Sequence, residues 1–107
     1  MSTLNRYTLF LLRETRNLMR ITLSANKKQI GLVRFSTPKL NSIYPTTAYL
    51  HKIEVAESHR NARIGSRLLT QMDDYLKINN PETDLIRGVL WDDQTNGYLH
   101  DFFKKNG

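Results

Sequence analysis

Residues 53–69 read Ile-Glu-Val-Ala-Glu-Ser-His-Arg-Asn-Ala-Arg-Ile-Gly-Ser-Arg-Leu-Leu, and this stretch predicts a strand, a polar turn and the start of a helix. The strand ends at Val55, and an amphipathic helix begins near Ile64. The first amides of a helix have no partner within it, and the helix N-terminus carries a partial positive charge. Such an end binds anions, and arginines beside it favour a phosphate or a pyrophosphate. The arginines of this stretch are Arg60, Arg63 and Arg67.

The pattern of apolar residues along the chain predicts an α/β (α+β) fold. Strands are expected at residues 7–12, 18–24, 29–36, 47–55 and 85–91. The first of these segments also admits a helix. The helix that begins near Ile64 is stopped by Pro81, and a last helix is expected from about Asn96. This order predicts one domain over residues 1–107, with a mixed, mostly antiparallel sheet and helices packed on its faces.

The composition excludes several kinds of site. The chain has 107 residues, a net charge of +6 and no cysteine, which rules out disulfides, thiolate zinc sites and a cysteine nucleophile. Its three histidines lack the spacing of zinc ligands, so no metal is expected. The positive charge favours an anionic partner, which either nucleic acid or a CoA-type ligand would provide. With no membrane-spanning stretch or signal peptide in the sequence, we expect a cytoplasmic protein without a membrane partner.

The turn and helix start resemble a known signature. Arg60-Asn61-Ala62-Arg63-Ile64-Gly65 is similar to the acyl-CoA-binding motif of the GNAT superfamily of N-acetyltransferases, which has Gln or Arg, two variable residues, Gly, one variable residue and then Gly or Ala. Asn96, followed by Phe102-Phe103 and Gly107, is similar to the second motif of that family. The resemblance implies a GNAT-like sheet, acetyl-CoA as cofactor, and a minimal member that is short at its C-terminal end.

The resemblance also implies which residues hold the cofactor. Backbone groups of Ile53 and Val55 would pair with the pantetheine arm like an added strand, and the strand with Val89 would diverge from them. Successive amides from Arg60 to Gly65 would wrap the pyrophosphate, because consecutive N–H donors at a helix start form a concave anion site. The full set of expected cofactor-binding residues is Ile53, Val55, Arg60, Asn61, Ala62, Arg63, Ile64, Gly65, Ser66 and Asn96.

Two positions depart from the family pattern. Arg63 stands where the first glycine of the motif usually lies. Phe103 stands where the family usually has the tyrosine that protonates the departing thiolate. A phenyl ring has no proton to donate, so Tyr98 or water would take this role.

The expected base lies on or after the cleft strand. An acceptor amine must lose a proton before it attacks a thioester, and a nearby base assists this step. The candidates are Glu54, Glu57, His51 and Asp92. We prefer Glu54, because it lies between Ile53 and Val55. Alternation along the strand places Tyr49, His51, Ile53 and Val55 on one face and Leu50, Lys52 and Glu54 on the other.

The leading hypothesis from the sequence is an acetyl-CoA-dependent N-acetyltransferase that acts on an amine. A protein lysine, an N-terminus and a small amine all remain open as acceptors. The first alternative is a degenerate, non-catalytic domain that binds CoA or a protein partner, as Phe103 suggests. A small basic nucleic-acid-binding domain is the second alternative, and only the charge supports it. A homodimer is one way in which the shortened acceptor side would be completed.

Overall fold

The structure is a computed structural model, and it describes residues 7–90 and 98–104. Six strands form one sheet in the order β1-β2-β3-β4-β5-β6. The elements are β1 (Tyr7–Arg13), β2 (Leu18–Ala25), β3 (Lys28–Ser36), β4 (Thr47–Val55), a 3₁₀-helix (Glu57–Ala62), α1 (Ile64–Asn79), β5 (Leu85–Leu90) and β6 (Tyr98–Lys104). Within this sheet only β4 and β5 pair in parallel, and every other neighbouring pair is antiparallel. The predicted fold class is therefore confirmed.

The first four strands and α1 agree closely with the sequence prediction. The first segment is a strand, not the alternative helix, and β4 has the predicted bounds. The turn between β2 and β3 is formed by Asn26 and Lys27, which have φ of 53° and 65°. Positive φ at both central residues is what a two-residue hairpin turn requires. Among the described residues, no helix is both long and apolar enough to cross a membrane.

The prediction of a last helix is wrong for residues 98–104. This segment is strand β6, which pairs antiparallel with β5. The apolar residues Tyr98, Leu99, Phe102 and Phe103 follow a helical spacing, but an irregularity in the β5–β6 register lets a strand carry the same pattern. Aromatic residues also favour strands, and pairing with β5 outweighs the local helical pattern. Asn96 and Trp91 lie outside the described residues.

The predicted assignment of β4 side chains to faces is also wrong. Phe35 pairs with Leu50 whereas Arg34 pairs with Lys52, so His51 is an extra residue in a β-bulge. A bulge reverses the alternation of faces beyond it. Leu50 is therefore buried in the same core against which Ile53 and Val55 pack, although the sequence pattern placed them on opposite faces.

Helix α1 covers one face of the sheet and closes the core. Its buried residues recur every fourth position, which is the spacing of one helical face. They are Ile64, Leu68, Met72 and Leu76. They belong to one core cluster with alternate residues of β2 and β3. Gly31 lets the helix approach the sheet closely, because a Cβ there would lie 2.9 Å from both Ile64 Cγ2 and Leu68 Cδ1.

Replacing Gly31 should destabilise the fold, whereas replacing Gly65 should not. In Gly31→Ala the added methyl overlaps two fully buried side chains, and overpacking of this kind costs roughly 1–3 kcal/mol. In Gly65→Ala the added methyl meets only Val55 Cγ2, at 3.8 Å. Alanine is the better helix former by up to about 1 kcal/mol. Urea unfolding of both variants measures the difference, and equal stabilities would contradict the close approach at Gly31.

Candidate functional site

A gap opens in the sheet where β4 and β5 stop pairing. The parallel ladder joins residues 47–50 to residues 85–88. Beyond it β4 continues to Val55, paired with β3, and β5 continues to Leu90, paired with β6. The expected divergence of the strands that hold Ile53 and Val89 is confirmed in this pairing.

The register of β4 on β3 decides which peptide groups face the gap. The Ala56 amide donates a 2.8 Å hydrogen bond to the Ile30 carbonyl. In an antiparallel ladder, bonded residues alternate with residues whose N–H and C=O point to the other side. Glu54 therefore has the same orientation as Ala56, whereas the peptide groups of Ile53 and Val55 point away from β3 and toward the gap. This is the edge that an added extended strand would occupy.

The turn after β4 folds into a short helix, so its amides do not form a row of free donors. Residues Glu57–Ala62 form a 3₁₀-helix, and the His59 amide donates to the Ala56 carbonyl at 2.9 Å. A 3₁₀-helix uses its own amides in such bonds, so the donors left for an anion lie later, at the start of α1. The first α-helical bond runs from the Arg67 amide to the Arg63 carbonyl at 3.1 Å. The amides of residues 64–66 precede this bond and have no α-helical acceptor.

The N-terminus of α1 carries no competing anion of its own. No described side chain caps it, and its first turn contains no acidic residue. Gly65 leaves its flank open, since the nearest atom to a Cβ there would be Val55 Cγ2 at 3.8 Å. A helix end with unpaired amides and no carboxylate is suited to an external anion.

Arg63 joins the 3₁₀-helix to α1 in a left-handed conformation, with φ 60° and ψ 29°. This conformation costs a non-glycine residue roughly 1–2 kcal/mol. The strain accounts for a glycine at the corresponding position of the motif that the sequence resembles. Arg63 is exposed, so its side chain extends from the turn into solvent.

The structure places the Arg67 side chain against β1. Its guanidinium carbon lies 5.2 Å from the centre of the Tyr7 ring on β1. This is a cation–π contact, and it anchors α1 to the first strand. A cavity of about 790 Å³ lies along the end of β4 and includes Ile53, Glu54 and Gly65 in its lining.

The base candidates lie in different surroundings. The Glu54 carboxylate is exposed and pairs with Lys52 Nζ at 2.9 Å. His51 is the bulge residue next to the last paired residue of the β4–β5 ladder, and its Nε2 lies 3.0 Å from Ser36 Oγ. Partial burial, with the positive charge of Arg34, lowers the pKa of His51 below its ordinary 6.5. The ring is therefore neutral at pH 7 and can accept a proton.

The other proposed acids and bases, Glu57, Tyr98 and Asp92, lie on separate segments of the chain. Glu57 begins the 3₁₀-helix and lines the same cavity as Glu54. Tyr98 is the first residue of β6 and pairs with Leu90, at the end of β5 that borders the gap. Asp92 lies outside the described residues.

Sequence reasoning missed one cluster altogether. Glu14 is held between Arg20 and Arg34 on the sheet face opposite α1. These residues lie on separate segments of the chain. The sequence indicates only that both arginines lie at outward-facing positions of their strands.

Comparisons with known proteins agree with this geometry. A family model described as Acetyltransferase (GNAT) family matches residues 2–107. No curated protein matches the sequence. The fold is similar to an aminoglycoside acetyltransferase from an uncultured soil metagenomic sample, with TM-score 0.61, 16% identity, and coverage of 75% of this chain and 51% of that chain.

Two further solved structures share the fold. One is the ribosomal-protein-S18-alanine N-acetyltransferase from Escherichia coli, with TM-score 0.60, 14% identity, and coverage of 85% of this chain and 58% of that chain. The other is a Bacillus anthracis protein described as a streptothricin acetyltransferase and solved with acetyl coenzyme A, with TM-score 0.59, 16% identity, and coverage of 79% and 60%. The chain thus spans between half and two thirds of the length of these structures.

The left-handed conformation of Arg63 can be tested by stability. Arg63→Gly removes the strain but gives the unfolded chain more freedom, so the net gain should be between zero and about 1 kcal/mol. Arg63→Val places a β-branched residue at positive φ and should cost about 1 kcal/mol or more. Thermal unfolding compares the two variants. If valine is tolerated as well as glycine, the turn does not have this conformation.

The lowered pKa of His51 predicts a dependence of stability on pH. Because the pKa in the folded chain is below the ordinary 6.5, the unfolded chain binds more protons near pH 6. The free energy of unfolding should therefore be fully retained above pH 6.5 and fall as the pH drops through the pKa of the folded state. His51→Gln should reduce this slope in urea unfolding measured at several pH values. A titration of His51 by NMR that gives a pKa above 6.5 would contradict the assignment.

Proposed function

We propose that this chain, which belongs to the GNAT family of acetyltransferases, transfers an acetyl group from acetyl-CoA to an amine. The observation that carries the proposal is the end of the β4–β5 ladder at Leu50 and Gly88, beyond which the peptide groups of Ile53 point into the gap. This gap leads to the uncapped N-terminus of α1. An extended arm that ends in a pyrophosphate would match both features.

The gap and the helix end fit acetyl-CoA in complementary ways. Peptide groups of Ile53 and Val55 would hold the pantetheine arm as an added strand. The pyrophosphate would lie against the amides of residues 64–66, with Arg63 within reach as a cation. The proposed cofactor-binding set remains Ile53, Val55, Arg60, Asn61, Ala62, Arg63, Ile64, Gly65, Ser66 and Asn96, but the amides of residues 60–62 belong to the 3₁₀-helix and are no longer proposed as phosphate donors.

Bound acetyl-CoA would supply an activated thioester carbonyl that a neutral amine can attack. The chain would contribute orientation of the two reactants and removal of a proton from the amine. Glu54 remains a proposed base, and its carboxylate lies 2.9 Å from Lys52 Nζ. His51 is the second candidate, because it is neutral at pH 7 and lies where the ladder ends. Tyr98, on β6 beside the end of β5, is the proposed acid.

The non-catalytic alternative uses the same cofactor site. It is favoured by one feature of the sequence, since Phe103 offers no proton at the position where the family motif has tyrosine. Release of free CoA thiol with a panel of amines separates the two. Binding of acetyl-CoA without thiol release for any amine would identify a binding domain.

A charge placed at Gly65 should abolish acetyl-CoA binding without unfolding the chain. Gly65→Glu puts a carboxylate where the pyrophosphate would lie, but an acidic residue in the first turn of a helix is itself favourable. Acetyl-CoA at about 100 times its Kd should stabilise the wild type by roughly 2.7 kcal/mol, which raises the melting temperature by several degrees. Gly65→Glu should lose this shift.

Two controls make the experiment specific. Gly65→Ala should keep the shift, because it adds only a methyl group to an open flank. Gly65→Gln has the size of glutamate without its charge, and should retain more affinity than Gly65→Glu. A normal shift in Gly65→Glu would place the cofactor elsewhere, and the proposed site would be wrong.

A further inference from the structure

Three basic residues form a row across the sheet on the face opposite α1. Arg20 on β2 pairs with Arg34 on β3, which pairs with Lys52 on β4. The three residues are here called the basic row. Like charges directly opposite each other destabilise a sheet. With neighbouring strands about 4.8 Å apart, the row spans roughly 10 Å.

Glu14 holds the two arginines of the row in place. Arg20 Nε donates to Glu14 Oε1 at 2.6 Å, and Arg34 Nε donates to Glu14 Oε2 at 2.8 Å. The Nη2 atoms of both arginines contact the same carboxylate. The side chain of Glu14 is 12% exposed, whereas those of Arg20 and Arg34 are 41% and 43% exposed. The carboxylate is thus covered while both guanidinium groups reach solvent.

This arrangement keeps a positive charge on the surface. Burial acts to raise the pKa of Glu14, but hydrogen bonds and charges from Arg20 and Arg34 hold that pKa below its ordinary 4.5. One negative charge therefore faces two positive ones. Each guanidinium has five N–H donors, and Glu14 engages only the Nε and Nη2 side of each. Among the described residues, the Nη1 groups remain available to a further acceptor.

The basic row lies beside the gap in which transfer is proposed. Lys52 immediately precedes Ile53, and its ion pair with Glu54 leaves the row as a whole positive. The field of Arg34 reaches His51, where it helps to lower the pKa of that ring. The same field would favour the neutral, nucleophilic form of an amine that enters here.

We propose that the basic row binds carboxylates of the acceptor, so that the amine is carried by an acidic peptide. This inference rests on the proposed function and names the acceptor class for the same site. An extended peptide advances about 3.3 Å per residue and its alternate side chains share one face, so acidic residues two positions apart lie roughly 6.6 Å from each other and can reach two members of the row. Guanidinium groups bind carboxylates through paired hydrogen bonds. A basic acceptor would be repelled by the row.

Matched peptides test the proposal. Three peptides of equal length share an N-terminal serine and contain no lysine, and they differ in acidic (Asp, Glu), neutral (Asn, Gln) or basic (Arg) residues after it. Thiol release from acetyl-CoA gives kcat and KM for each. The acidic peptide should have a KM several-fold lower than the neutral one, which is the range expected when two exposed charge pairs are added. Raising the salt concentration should reduce the difference.

Single substitutions test whether the basic row causes the lower KM for the acidic peptide. Arg20 pairs with Glu14 rather than with a candidate base, so Arg20→Gln should raise the KM for the acidic peptide several-fold and leave the KM for acetyl-CoA and for the neutral peptide near that of the wild type. Arg34→Gln and Lys52→Gln should also raise the KM for the acidic peptide. Lys39→Gln removes an exposed cation outside the row and should have none of these effects. The melting temperature of each variant identifies any that fails to fold. Lys52→Glu reverses one charge of the row and should reverse the preference between acidic and basic peptides.

The outcomes separate this inference from the proposed function. Equal KM values for acidic and neutral peptides would overturn the inference while transfer itself stands. If acetyl-CoA binds but no peptide is acetylated, the preference for the acidic over the neutral peptide is measured by fluorescence anisotropy of labelled peptides in the presence of CoA. Equal affinities for the two peptides would overturn the inference. Displacement of the acidic peptide by a short RNA at lower concentration than by unlabelled peptide would also overturn it. Failure to bind acetyl-CoA at all would refute the proposed function itself.

Discussion

The short pairing of β4 with β5 is the constraint on which the rest of the site depends. The two strands are parallel, so the chain must cross over between them, and α1 is that crossover. Their ladder ends at Leu50 and Gly88, and the bulge at His51 follows at once. A bulge bends and twists its strand, so it directs the second half of β4 away from β5. Had the ladder continued past Leu50, the peptide groups of Ile53 that now point into the gap would be bonded to β5.

Local features then fix the helix end relative to this gap. Gly31 lets Ile64 and Leu68 sit directly on β3, which sets the depth at which α1 begins. Arg63 adopts a left-handed conformation that turns the chain from the 3₁₀-helix into α1. The start of α1 thus lies at the end of β4. The packing of the core therefore determines where the uncapped amides of the helix lie.

The sequence predicted the elements that rest on local patterns. The strand segments of β2 and β3, the apolar stripe of α1 and the stop at Pro81 are each read within one segment, and the structure agrees with them. Two features that depend on pairing between segments were missed, the bulge at His51 and strand β6. The extra residue at His51 is defined only by its partners on β3, and the spacing of Tyr98, Leu99, Phe102 and Phe103 suits either a helix or an irregular strand.

The same distinction applies to charge. The net charge of +6 predicted an anionic partner but could not say where the partner would lie. Folding brings some of the basic side chains to two places, Arg63 to the turn before α1 and the basic row to the outward face of β2, β3 and β4. The two places flank the gap from different sides. The net positive charge of the chain would therefore bind both reactants. The pyrophosphate of the cofactor would lie at the helix end, and an acidic acceptor would lie on the open face of the sheet. In this arrangement the amine and the thioester would meet beside His51, where the strands diverge.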